Sequence, residues 1–316
     1  MRPWLRRGAA AAALAGERSD LWPSATLAHL AYLGWLPLLL GVAPPQAVDL
    51  AHIGVELWTA GSFPANIVAV AVVAVAAFLL LALAAAVAEV MLHGSLVPPV
   101  QATGGAVLSV LAVMVLAATP AVLALGWLVI GVAQHGPTVY GEPGSATTLL
   151  LRLAARLTPQ LLVLAGAVLV AQVVGGVALR QVLADDDRSI GRALRHGVVG
   201  LTHRPGAVCL ATAAWLADAL LLLGSWALLA ILWRPIAAML GPGLLSNPQV
   251  VALLVGFVAI WLLLLTAGGV AHALFSAWWV LEGSDHEPGT DARAADRARP
   301  APDGGAGAGS DHRLRA

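Results

Sequence analysis

A chain of 316 residues with 59% hydrophobic and only 11% charged side chains cannot clothe a water-soluble fold, whose residues are about 25% charged. The mean hydropathy of +0.86 comes from long apolar stretches with the charges confined between them, which excludes a soluble domain and leaves a membrane protein. The 17 basic residues are all arginine and balance 17 acidic ones; the missing lysine and the alanine and glycine load read as a GC-rich, bacterial coding sequence.

In chain order, residues 1–20 form an N-terminal arm. Arginines followed by an alanine run give Met1–Gly16 a loose signal-peptide look, but alanine makes a poor apolar core and Glu17-Arg18-Ser19-Asp20 follows, so the segment is expected to stay. Residues 21–282 form an all-α, polytopic transmembrane bundle of about six spans with short interfacial helices. The spans are predicted at about 21–42, 64–92, 105–133, 159–179, 206–233 and 249–281, the first containing Pro37. Residues 283–316 hold almost no large apolar side chain and are expected to be a disordered tail.

Arginine placement orients the spans. With the N-terminus inside, fourteen arginines face the cytoplasm and three (Arg152, Arg156 and Arg234) lie outside. The expectation is a multi-pass protein of the cell inner membrane with both termini cytoplasmic; Arg152 and Arg156 are its one local inconsistency.

Three segments, Ser24–Pro37, Ser145–Pro159 and Ser189–Pro205, each begin at a serine able to cap a helix and run about four turns to a proline. In the third, Arg188, Arg192 and Arg195 share a face, with Ile190, Leu194, Val198 and Leu201 as a neighbouring apolar stripe. Such a helix lies at the membrane interface, its arginines among anionic lipid headgroups, or serves only to fix topology. Asp185-Asp186-Asp187 at its start reads as a solvated cap rather than a cation site. Arg192-Ala-Leu-Arg-His-Gly197 followed by His203-Arg-Pro-Gly206 ahead of a long span resembles a segment of bacterial six-span proteins of unknown function. These include the membrane domain attached to some glycerophosphodiester phosphodiesterases. The resemblance implies a bundle and no activity, because no catalytic domain follows residue 283.

Ionisable groups at membrane depth are expensive and therefore candidates for function. Asp218 lies about twelve residues into the fifth span, ~18 Å from its inner end at about 1.5 Å per residue. His272 in the sixth span and Gln172 in the fourth lie at comparable depth, so the three form a candidate buried polar cluster. An Asp–His pair there relays protons or lines a polar path; the bland alternative is an interhelical hydrogen bond. Glu89 and His93, near the inner end of the second span, are expected at the interface. Gly166, Gly175-Gly176 and Gly268-Gly269 are expected to allow close helix packing, and Trp22, Trp58, Trp233, Trp278 and Trp279 to form interfacial belts.

No phosphate-binding glycine loop with lysine, metalloprotease helix or serine elbow occurs, and Cys209 is alone, so no cofactor, metal or catalytic residue is assigned. Nothing in the sequence points to nucleic acid. The leading expectation is a non-enzymatic bundle, whether scaffold, assembly factor or permease-like subunit, with partners docking on the cytoplasmic tail. The alternative is a small-solute or proton-coupled transporter using Asp218, His272 and Gln172.

Overall fold

The computed structural model describes residues 3–43, 65–97, 103–184, 188–239 and 247–284. Among them every regular element is helical. Helix α1 is Pro3–Glu17, followed by a 3-10 turn at Ser19–Leu21; α2 is Trp22–His29 and α3 is Leu36–Val42. The remaining helices are α4 (Ala65–Leu96), α5 (Gly104–Tyr140), α6 (Ala146–Arg156), α7 (Thr158–Ala184), α8 (Ile190–His203), α9 (Pro205–Ala238) and α10 (Pro248–Ser284).

Five helices (α4, α5, α7, α9 and α10) are long and apolar enough to cross a membrane. A sixth candidate crossing is the pair Ser19–Gly34 and Leu36–Val42, long and apolar enough only when taken together and bent by 46° between them. The break has a local cause. Pro37 has no amide hydrogen to give to the carbonyl one turn earlier, and a π turn at Leu30–Gly34 precedes it. Two indoles bond carbonyls of this segment: Trp261 donates to Gly34, at the break, at 3.1 Å, and Trp226 to Leu40, in the last turn of α3, at 3.3 Å. The chain is an integral membrane protein. Its buried residues are mostly alanine and valine, while long side chains point outward, Leu220 at 72% and Leu263 at 70% exposure. That distribution suits lipid, where small residues let helices approach and large ones meet acyl chains.

Helix α1 is more than an arm. It packs along the end of α10, burying Ala11 and Ala15, with the Trp4 and Trp278 rings 4.5 Å apart and Arg7 ion-paired to Glu282. The Ser24–Pro37 segment lies within the first predicted span, as the first half of the bent crossing, against α4 and α10, and the Ser24 hydroxyl donates back to the Leu21 carbonyl. The other two short helices form as expected. Ser145 caps α6 by accepting the Thr148 amide, whereas Ser189 precedes α8 without a side-chain cap.

Helix α8 buries Ala193, Gly197 and Gly200 and packs Ile190, Leu194 and Leu201, partly buried, against the neighbouring helices, while Val198 is 56% exposed. At Gly197 a Cβ would fall 2.6 Å from the Val174 carbonyl oxygen, so α8 sits backbone to backbone on α7. Gly268-Gly269 do the same for α10 against α2, where added carbons would collide with His29 and Thr26. Gly166, by contrast, faces open space. Trp22, Trp278 and Trp279 turn inward, Trp22 donating to the Ala15 carbonyl at 2.9 Å, instead of lining an interface belt. Trp58, Asp185-Asp186-Asp187 and the tail from 285 lie outside the described residues.

Candidate functional site

Helices α2, α4, α7, α9 and α10 bring their ionisable side chains to one side of the bundle interior. The alternation of small residues along α4 turns Ala82, Ala85, Ala86 and Val90 inward, and the same stripe carries Glu89 and His93. Glu89 is only 4% exposed and His93 6%, which corrects the expectation that both sit at the interface. Depth along the helix suggested water; the face decides otherwise.

Glu89 is the hub of the group. Its Oε1 lies 2.9 Å from His272 Nε2 across α4 and α10, close enough for an ion pair when the imidazole is protonated. The Tyr32 hydroxyl, from the π turn, donates to the same oxygen at 3.4 Å, and its ring lies 5.7 Å from the imidazole of His272. Arg180 on α7 stands within electrostatic reach of Glu89, Tyr32 and His93. The sequence grouped Arg180 with the arginines between spans, but it is the last inward charge of α7. Its guanidinium lies 5.8 Å from the centre of the Trp279 ring, and its Nε is sealed from solvent without a partner.

The three residues singled out from the sequence take different places. His272 is at the centre, paired with Glu89. Asp218 on α9 lines a small cavity with His29, Ser225 and Trp261, within electrostatic reach of His272 and with no hydrogen bond among the described residues. Gln172 on α7 buries its Oε1 without a partner, and among the described residues its side chain makes no hydrogen bond to Asp218 or His272. His29, also within electrostatic reach of His272, completes the set from α2. The groups are thus linked as neighbours: Asp218 and His29 at the small cavity, His272 and Glu89 with Tyr32 beside them, and His93 and Arg180 next to Glu89.

Beyond Arg180 a second, larger cavity of about 280 Å³ opens between α4, α7, α9 and α10, lined by His93, Arg180, Arg204, Trp279 and Glu282 among others. The pole around it also carries Arg18, which bonds Asp20 and the Ser95 carbonyl, and Arg188, which donates to Thr103 at 2.8 Å. On α8, Arg192 and Arg195 are exposed. At the opposite pole Arg152 and Arg156 both pair with Glu142, so this local excess of positive charge is partly neutralised.

The sequence placed Glu89 and His93 at the interface and Arg180 among the loop arginines, and passed over Tyr32 and His29. For Glu89 and His93 the stripe of small residues along α4, at spacings of three and four, was the available signal. Comparison with protein-family models, with curated proteins and with solved structures finds no match.

Proposed function

We propose that this chain is a non-catalytic, permease-like bundle that passes protons, or a small solute coupled to them, along its file of buried ionisable groups. The observation that carries the reading is the grouping of Asp218, His29, His272, Glu89, His93 and Arg180 on five helices, ending at a cavity whose wall carries Arg180, Arg204 and Glu282. Groups of this kind inside a membrane are costly unless they serve a pathway or pair with one another. Pairing accounts for Glu89 and His272, but Asp218 makes no hydrogen bond among the described residues and the Arg180 Nε has no acceptor.

The membrane is the bacterial inner membrane, with both termini cytoplasmic; the arginine excess at the pole holding Arg18, Arg180, Arg188 and Arg204 supports that orientation. Arg188, Arg192 and Arg195 meet anionic headgroups there, and residues 285–316 offer a docking tail. The resemblance of Arg192–Gly197 and His203–Gly206 to six-span bacterial proteins fits this architecture. A scaffold reading keeps one observation in its favour: Tyr32, Glu89 and His272 satisfy one another across three elements, as interhelical glue does.

Water access separates the two. In a Cys209→Ser background, Asp218→Cys and His93→Cys are expected to react with a water-soluble maleimide in membranes, while Leu220→Cys, which faces outward, does not. If positions 218 and 93 are as inert as 220, the file is sealed and the pathway reading fails.

A further inference from the structure

The cavity at the arginine-rich pole has a chemistry of its own. Arg180 reaches it from the last turns of α7 and Arg204 from the residue just before α9. Neither guanidinium makes an ion pair among the described residues. The one carboxylate in the wall, Glu282, is engaged by Arg7 from α1. The Arg180 Nε is buried and has no acceptor, and its Nη1 reaches only the Gly176 carbonyl at 3.4 Å. Leaving buried guanidinium donors unfilled is expensive, and the acceptors that suit their forked geometry are oxyanions.

We infer that this cavity is a binding site for a phosphate-type oxyanion, clamped between Arg180 and Arg204 with His93 on one wall. The volume of about 280 Å³ falls near the lower end of small-molecule sites, which run to roughly 300–1,000 Å³, so it takes a phosphate with its ester substituent rather than a large ligand. Val97, Val177, Ala207 and Val280 supply an apolar wall beside the charged one. Trp279 holds the Arg180 guanidinium against its ring, fixing the direction of the clamp. Two sources offer the same chemistry: the headgroup of an anionic phospholipid, and a soluble phosphate or phosphate ester. The site stands on this geometry whether or not the bundle conducts protons.

The test uses the full chain purified in an uncharged detergent. Inorganic phosphate, dihexanoyl-phosphatidylglycerol and dihexanoyl-phosphatidylcholine are titrated separately while thermal unfolding is followed. Saturable stabilisation by phosphatidylglycerol but not phosphatidylcholine assigns a headgroup site; saturation by inorganic phosphate as well assigns a site open to soluble phosphate. In either case Arg204→Gln is expected to weaken binding about tenfold or more, the loss of one charge-assisted hydrogen bond, while Arg195→Gln on the exposed face of α8 changes it less than about twofold. Arg180→Gln serves as the second variant if it remains folded. No saturable stabilisation by either anion overturns the inference. So does an Arg204→Gln protein that binds like the parent, or an Arg195→Gln protein that loses as much, since diffuse surface charge would then explain the binding.

Discussion

Glu89 shows why a single buried carboxylate is decisive in a bundle of this kind. It faces a histidine, a phenol and an arginine, so its charge is compensated from three other elements. Removing it leaves the cationic partners unbalanced, and breaking a buried pair from one side typically costs about 3–5 kcal/mol. Glu89→Leu is therefore expected to destabilise the protein in detergent by several kcal/mol in that range. Glu89→Gln keeps the hydrogen bonding and costs clearly less, roughly 1–3 kcal/mol, in chemical or thermal unfolding. A double-mutant cycle of Glu89→Gln with His272→Asn should give coupling above about 0.5 kcal/mol; additive effects would separate the two side chains. Asp218 behaves differently. With no hydrogen bond among the described residues, its replacement by Asn is expected to leave stability nearly unchanged. The depth of Asp218 and His272 was legible from residue counting along apolar runs. Their partners were not, because depth does not tell which side of a helix a residue occupies, and Glu89 looked wet for that reason alone.

Among the elements, the bent crossing and the glycine contacts hold the site in place. Trp261, donating to Gly34, makes the break a defined structure rather than a weak point, and Trp226 holds the far end of α3 through Leu40. Trp261→Phe keeps most of the packing and removes the donor, so it is expected to cost about 0.5–1.5 kcal/mol, measured by unfolding. Gly269→Leu tests the α2–α10 contact: Thr26 stands where its side chain would go, and overpacking of this kind costs typically 1–3 kcal/mol. Gly166→Leu, which meets nothing within 4 Å, is expected to be neutral. The elements themselves were readable from the sequence because apolar length, proline and capping serines mark them directly, as at Pro159, Pro205 and Ser145. One was read too simply. Met1–Gly16 contains arginines that looked like an N-terminal arm, although Trp4, Ala11 and Ala15 already carry helical spacing and supply the face that docks on α10. Ser24–Pro37 shares its serine-to-proline pattern with the segments that form α6 and α8, but it lacks their arginines and belongs to the first predicted span.

The whole molecule combines a lipid-like exterior with a charged interior that leans toward one pole. Alanine-rich cores join α4, α5, α7 and α8 in one cluster and α7 with α9 in another, so the helices that carry Glu89, Arg180 and Asp218 are packed through small residues rather than bulky ones. Orientation follows from the same charge asymmetry. A reporter that is active only in the cytoplasm, fused after Ala316, is expected to be active, and one placed between Glu142 and Ser145 inactive; the reverse pattern would invert the topology. The most direct test of the account is proton flux through purified protein in liposomes under an imposed pH gradient. The account predicts that the parent chain dissipates the gradient faster than protein-free liposomes and that Glu89→Gln and Asp218→Asn, both still folded, abolish the excess. A parent chain no leakier than empty liposomes, or variants that conduct as well as the parent, would contradict it and leave the buried file as structural glue.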